Sequence, residues 1–252
     1  MYPILFSYKF ITIGGYGLML GLAFYLGFLV GEREFIIRGK DPELAYRLLL
    51  SSIPSAIVGA KIFHILDYKE QFMQDKWGVI FSGSGLSVYG GLIFALIAAI
   101  VVIRLFGENV LEVFDASCPT IALGYGIGRF GCHFAGDECY GITTSSFFGT
   151  AYPNGIAPAT AEVLPTALFE SLCSFIILFF ILAFRKREMP AGKVFFVYLM
   201  LNGATRFFVE FVRINPKIFF WFTQAQLIAL LLVATGFAGL LYLGSKSGEQ
   251  PA

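Results

Sequence analysis

Charge is scarce in this 252-residue chain, where Asp, Glu, Lys and Arg together make up only 14% of residues. A soluble domain carries about 25%, and a disordered chain needs high charge with few apolar residues, so both classes are excluded. Neither sign dominates, with 18 Lys and Arg against 17 Asp and Glu, which leaves no basic field for nucleic acid. Alternating strands of about ten residues are missing, which excludes a transmembrane barrel. Long-period repeats, low-complexity tracts and lipidation motifs are absent as well. The first apolar run has only Lys9 ahead of it and no A-x-A-like site, so it is expected to remain as a spanning helix rather than be cleaved.

What is abundant is apolar: 57% of residues are of the types AVILMFWYC. A bilayer core about 30 Å thick needs roughly 20 apolar residues of helix. Seven segments meet this: Phe10 to Gly31, Leu48 to Leu66, Leu86 to Ile103, Ala116 to Gly136, Val163 to Phe184, Val194 to Val212 and Ile218 to Gly244. The expected fold is an all-α integral membrane protein of seven transmembrane helices, one polytopic domain over 1–252. Counting Lys and Arg in the connections puts ten on one side and five on the other, with Lys61, Arg129 and Arg206 inside spans. The positive-inside rule then predicts the N-terminus outside and the C-terminus cytoplasmic. Residues 137–162, rich in Gly, Pro, Ser and Thr, are read as a small extracytoplasmic head or, more blandly, a solvated connector.

That topology gathers the polar residues of the spans in the outer half of the membrane: Tyr16, Lys61, His64, Tyr89, Arg129, His133, Glu170, Arg206 and Glu210. A charge at a helix centre costs roughly 2.5–3.5 kcal/mol on insertion scales, so such groups face protein or a wet cavity and mark function. Arg206, Glu210 and Arg213 share one helix face by their i, i+4, i+7 spacing, and mutual neutralisation of Arg206 and Glu210 as helix glue is the alternative to a functional reading of that pair. The set Lys61, Arg129 and Arg206 against Glu170 and Glu210 still leaves one positive charge, which an anionic headgroup would balance.

The densest run is Gly128 to Gly141, GRFGCHFAGDECYG, at the end of the fourth span. Its glycines, Gly131 and Gly136 among them, let backbone approach a ligand and offer amides to phosphate oxygens. Cys132, His133, Asp137, Glu138 and Cys139 are metal-ligating types, but their spacing matches no recognised pattern and no metal is expected. Cys132 and Cys139 are one candidate disulfide on an oxidising face. No cofactor is expected.

Five elements in order carry a resemblance. Tyr16-Gly17-Leu18-Met19 resembles YGLM, and Gly59-Ala60-Lys61-Ile62-Phe63-His64 resembles G-A-R-L-x-Y. Tyr89-Gly90-Gly91-Leu92-Ile93 is similar to [HY]GGLIG, Leu164 to Glu170 to HPSQLYE, and Arg206 to Arg213 to RFxVExxR. By these the chain resembles the bacterial prolipoprotein diacylglyceryl transferases. The family's GRxGNFxNGExxG keeps Gly128, Arg129, Gly131, Gly136 and Gly141 here, but Cys132 and Ala135 stand where asparagines belong. The run is one residue longer, so Asp137 and Glu138 both compete for the acidic position. Lys61 replaces an Arg, Leu164 a His and Ala167 a Gln.

The resemblance implies transfer of a diacylglyceryl group from phosphatidylglycerol to the lipobox cysteine thiol of a preprolipoprotein signal peptide, in the bacterial inner membrane with the site toward the outer leaflet. Arg129 and Arg206 are then expected to grip the phosphate, since guanidinium keeps its charge when desolvated and offers paired donors. Glu210 would orient one of them, Tyr89 would hydrogen-bond the lipid or relay a proton, and Gly90 and Gly91 would admit the headgroup. Tyr16, Lys61, Gly131, Gly136, Asp137, Glu138 and Glu170 are expected around the substrate. His133 is a candidate acceptor for the thiol proton, with the phosphate itself or a carboxylate as alternatives. Two rivals stand beside this reading. A transporter would show repeated halves and broken helices, which are not visible; a relative could act on another acceptor.

Overall fold

In the computed structural model, residues 3–8, 11–82, 87–184 and 189–247 are described. An antiparallel ribbon of β1 (Ile4–Tyr8) and β2 (Ile11–Gly14) leads into helix α1 (Gly15–Ile37). Helices α2 (Pro42–Asp67), α3 (Lys69–Gln74), α4 (Lys76–Phe81), α5 (Val88–Leu105) and α6 (Val110–Ala135) follow. After α6 come the ribbon β3 (Thr150–Tyr152) and β4 (Ala159–Val163), then α7 (Thr166–Phe184) and α8 (Lys193–Val209). A 3-10 turn at Glu210–Val212 and the ribbon β5 (Lys217–Phe219) and β6 (Phe222–Thr223) precede α9 (Gln224–Ser247).

Among the described residues, six helices, α2, α5, α6, α7, α8 and α9, are long and apolar enough to cross a membrane. This is a mostly helical, multi-span architecture, and exposed side chains such as Leu92, Phe179 and Leu231 cover its outer faces with apolar surface. The expected first span is not among the six. It begins at Gly15 instead of Phe10, because Ile11–Gly14 pair with β1, and its last turns carry Glu32, Arg33 and Glu34. The last span likewise begins at Gln224 rather than Ile218, since 217–219 and 222–223 pair as strands. Apolar strand residues such as Ile218 and Phe219 read as helix in a hydropathy count, which has no term for their pairing.

The chain divides into two compact units, Glu32–Val113 and the combination of Met1–Gly31 with Phe114–Ala252. Within Glu32–Val113, α2 starts on Asp41, whose side chain accepts from the Glu43 N–H at 2.8 Å, with Pro42 at the first helical position. That is a standard stop-and-start signal for a helix. Lys40 Nζ lies 2.5 Å from carboxylate oxygens of both Glu108 and Glu112, pinning the α1–α2 turn to the start of α6. Helices α2 and α5 cross at Gly59 and Gly90. A Cβ on Gly59 would sit 2.4 Å from the Gly90 carbonyl oxygen, and one on Gly90 would sit 2.3 Å from that of Gly59. Small residues at both positions let the two backbones touch, as membrane helices do when lipid supplies no hydrophobic drive between them.

In the larger unit, Cys118, Ala122, Ile177, Leu178, Ile181, Val194 and Tyr198 form a buried core between α6, α7 and α8. Ser171 and Ser174 Oγ donate to the Gly126 and Ala122 carbonyls, each at 2.7 Å, and so stitch α7 onto α6. Buried Asp115 of α6 accepts from the Gly192 and Phe195 amides at 2.7 Å, placing a negative charge at the α8 N-terminus where the helix dipole favours it. Helix α9 opens with a capping box: the Gln226 side chain accepts from the Thr223 N–H at 3.0 Å, and Thr223 Oγ1 accepts from the Gln226 N–H at 3.2 Å.

The α2–α5 crossing makes one clear prediction. Gly90→Ala forces a methyl into backbone and should cost about 1–3 kcal/mol. Gly91→Ala, whose Cβ would meet only Ala56 O at 3.2 Å and Ala60 Cβ at 3.5 Å, should cost less. Thermal unfolding in detergent measures both; equal midpoints for the two variants would contradict the crossing.

Candidate active site

One carboxylate organises the polar residues of the larger unit. Glu170, in the first turns of α7, is fully buried, which for an anion requires compensation from every side. Arg129 Nε of α6 lies 2.6 Å from Oε2, and the Tyr125 hydroxyl donates to the same oxygen at 2.8 Å. Arg206 of α8 donates to Oε1, and Arg213 Nη1 reaches that oxygen at 3.3 Å. Three guanidiniums from two helices and the segment after α8 thus converge on one residue. The Arg129 guanidinium also sits 5.2 Å from the centre of the Tyr125 ring, within cation–π range.

Glu210 forms a second tier. Its Oε2 lies 3.0 Å from Arg206 Nη2 and 3.9 Å from Arg213 Nε. Its Oε1 accepts from Asn215 Nδ2 at 2.6 Å and from Thr223 Oγ1 at 2.9 Å. Because Thr223 is also the cap of α9, that helix start is hooked to the arginine that Glu210 holds. Arg129, Arg206 and Arg213 face two buried carboxylates, so the cluster carries one uncompensated positive charge. Arg129 and Arg206 keep about a fifth of their side chains accessible (20% and 19%) while Glu170 keeps none, so the cations and not the anion meet whatever enters.

The end of α6 supplies the remaining groups. Gly136 ends the helix at φ +59, and a Cβ there would meet Gly155 Cα at 2.8 Å, so only glycine fits. The chain turns back, with Glu138 at φ +68, and the Gly141 N–H bonds Leu164 O while the Ile142 N–H bonds Val212 O, each at 2.8 Å. This fold-back places Asp137 and Cys139 beside Cys132, with ligand atoms of the three within 4.8 Å of one another. Arg129 Nη1 lies 3.5 Å from Cys139 Sγ. A hydrogen bond from Cys132 holds the Cys139 thiol below its usual value, at about 7, and Arg129 and Arg213 add to that. His133 Nδ1 lies 2.9 Å from the Tyr152 hydroxyl, which burial pushes up to about 12 and so keeps protonated at neutral pH.

The residues expected in one cavity divide between the two units. Tyr16, Arg129, Gly131, His133, Gly136, Asp137, Glu138, Glu170, Arg206 and Glu210 belong to the larger one, and Lys61, His64, Tyr89, Gly90 and Gly91 to Glu32–Val113. Lys61 Nζ donates to the carbonyl and hydroxyl oxygens of Ser82 at 3.0 and 3.2 Å, and the His64 ring packs against Tyr68.

The surroundings of several expected site residues are defined. Both Glu170 oxygens are filled by Arg and Tyr donors and none of its surface is exposed, so within the cluster it holds the arginines. Gly90 and Gly91 are buried against α2, where their missing side chains leave room for that helix. Gly131 similarly admits α1, its Cβ direction meeting Met19 Cβ at 2.9 Å and the Tyr16 ring at 3.4 Å. Between the two acidic candidates, Asp137 faces the cysteines while Glu138 is exposed. Cys132 and Cys139 are free thiols. Arg213 and Tyr125 were missed: Arg213 counts as a connector charge in the topology tally, although its i+7 spacing from Arg206 already placed it on the same face.

A family model described as prolipoprotein diacylglyceryl transferase matches residues 3–242. The chain belongs to the prolipoprotein diacylglyceryl transferase family. Among its relatives, the phosphatidylglycerol–prolipoprotein diacylglyceryl transferase of Dehalococcoides mccartyi is 32% identical over 98% of this chain and 95% of the relative. The protein of that name from Leptospira interrogans is 26% identical over 94% and 91%. A Clostridium perfringens protein, named as the transferase 2, is 32% identical over 82% and 81%. In this prolipoprotein diacylglyceryl transferase relative, the buried carboxylate sets the testable expectation. Glu170→Gln removes the counter-charge from three arginines at once and should cost about 3–5 kcal/mol, the range for breaking a buried ion pair. Thermal unfolding in detergent checks this, and a variant as stable as the parent would show that Glu170 is not the hub.

Proposed function

We propose that this chain transfers the diacylglyceryl group of phosphatidylglycerol to the lipobox cysteine thiol of a preprolipoprotein. The names printed for its relatives contain phosphatidylglycerol, prolipoprotein and diacylglyceryl transferase, and the family model supports the same reading. The structural observation that carries it is the arginine cluster of Arg129, Arg206 and Arg213, which holds one positive charge beyond its two carboxylates.

The chemistry asks for that excess. The thiol sulfur forms a bond to the terminal glyceryl carbon, the carbon–oxygen bond to phosphate breaks, and glycerol phosphate leaves with the electron pair. The diester carries one negative charge and the departing monoester approaches two, so fixed cations bind the transition state more strongly than the ground state. Arg129 and Arg206 are the residues proposed to touch the phosphate, held in place by Glu170 and Glu210. His133 is the proposed acceptor of the thiol proton, with Tyr152 fixing its ring through Nδ1. Tyr16, packed on Gly131 near the α6 end, is a proposed lipid contact, and so are exposed Tyr89 and half-buried Lys61 within their own unit.

Product formation tests this directly: the purified protein, phosphatidylglycerol and a lipobox peptide should yield a thioether-linked diacylglyceryl peptide by mass spectrometry. Arg206→Lys should lose most turnover although charge is kept, because an ammonium lacks the paired donors. His133→Gln should lose the acidic limb of the pH profile. Absence of the adduct with active lipid and peptide overturns the function; full activity of Arg206→Lys overturns its bidentate role, and an unchanged acidic limb in His133→Gln removes it as base.

The proposed orientation places the N-terminus outside, the C-terminus inside, and 137–162 outside as a small head, with α1 as a seventh span. Arg185, Lys186 and Arg187, which weigh in the charge count, lie outside the described residues. A reporter active only outside the inner membrane should work when fused after Thr150 and fail when fused after Glu188. The reverse pattern overturns the orientation.

A further inference from the structure

We propose that Cys132, Asp137 and Cys139 form a three-ligand site for a thiophilic divalent cation, with zinc as the best match. The site adjoins the arginine cluster through Arg129, whose Nη1 lies 3.5 Å from Cys139 Sγ, and the sequence alone predicts no metal there. Spacing alone did not reveal it, because two of the ligands reach the third only through the reversal at Gly136 and Glu138. One ligand atom from each residue lies within 4.8 Å of the others. Zinc–sulfur bonds of 2.3 Å in tetrahedral geometry put sulfurs about 3.8 Å apart, so closure around an ion needs at most about 1 Å of contraction. Asp137 Oδ1 is buried and has no hydrogen-bond partner. An orphaned carboxylate oxygen beside two free thiols is costly as it stands and is satisfied by a cation.

The donor set selects the class of ion. Two thiolates and a carboxylate favour zinc over magnesium or calcium, which take oxygen ligands. Arg129 Nη1, 3.5 Å from Cys139 Sγ, donates toward the thiolate that such a site requires. Zinc takes four ligands, and among the described residues no other His, Cys, Asp or Glu joins the group. Three protein ligands with one position filled from outside is the pattern of a catalytic rather than a structural zinc site. An exogenous thiol suits that position, since coordination lowers its pKa and its proton passes to His133, the acceptor proposed above. This last step rests on the function proposed above; the metal site does not.

Cobalt serves as the probe. The protein is reduced, stripped with a chelator in detergent and titrated with cobalt(II), then read by absorption. One cobalt per chain, with a thiolate-to-cobalt charge-transfer band and tetrahedral visible bands, is the expected result. Cys132→Ser and Cys139→Ser should each abolish the charge-transfer intensity or weaken binding more than the ~10–100-fold typical of an outer-shell change. Asp137→Asn should weaken binding and keep the band. Adding a lipobox peptide should increase the charge-transfer intensity, and its Cys→Ser counterpart should not. No band in the parent, or a band that survives both serine variants, overturns the site, as does a Cys132–Cys139 disulfide in the isolated protein whose reduction restores no cobalt binding. Binding that ignores the peptide overturns only the open position. Loss of transferase activity in an otherwise cobalt-competent protein bears on the proposed function and leaves the site standing.

Discussion

A carboxylate with no exposed surface must be held by its neighbours or it will not remain charged, and Glu170 is held by four. Its two oxygens accept from Arg129, Tyr125, Arg206 and Arg213. In water these pairs would be worth little; in a desolvated interior each is strong, but each also carries a desolvation penalty. The arrangement is therefore stable only when complete. That makes the guanidinium positions mutually dependent, since moving one leaves the shared anion underserved. Side chains with long flexible stems become fixed donors, which is what electrostatic catalysis requires: the dipoles and charges are oriented before the substrate arrives.

Helix ends serve the same purpose. Asp115 caps α8 at one end, and Arg206 and Glu210 lie at its other end, so the helix that carries Arg206 is fixed along its length. Thr223 closes the α9 capping box and donates to Glu210 with the same hydroxyl. Ser171 and Ser174 tie α7, and with it Glu170, to the α6 backbone one to two turns from Arg129. At the starts of α8 and α9 a side chain satisfies backbone amides that lipid would leave unsatisfied, and on α6 two serines add a second bond to helix carbonyls. Local satisfaction and site rigidity are the same set of bonds.

Spanning helices were legible in the sequence because lipid imposes a length and a composition on them, and six candidate spans fall where the apolar runs predicted. The ends were less legible: Ile11, Ile13, Ile218 and Phe219 are as apolar as any helix residue, yet they sit in short ribbons whose pairing is not local. Arg129, Arg206 and Glu210 stand out in the sequence because a charge in an apolar run demands a partner. Which partner does not, since Glu170 lies 41 residues from Arg129 in sequence and the choice between structural and substrate-facing carboxylate depends on burial. The glycine pair Gly90 and Gly91 is ambiguous in sequence for a related reason. A missing side chain makes room, and only the position of the neighbouring helix says whether a ligand or a backbone uses it.

The charge count ties these observations together. Had the cluster been neutral, its arginines would be sufficiently explained as glue between α6, α7 and α8. Replacing Lys61 by Arg213 among the counted cations alters the membership and preserves the result: three positive groups face two buried carboxylates. An isolated surplus charge in a low-dielectric site is unfavourable in the resting state, so the fold spends some stability on keeping it. An anion that enters recovers that energy, and one whose charge grows during reaction recovers more. On the function proposed above, a phosphodiester on its way to a phosphomonoester is such an anion, and the surplus would act where it lowers a barrier rather than where it deepens a well.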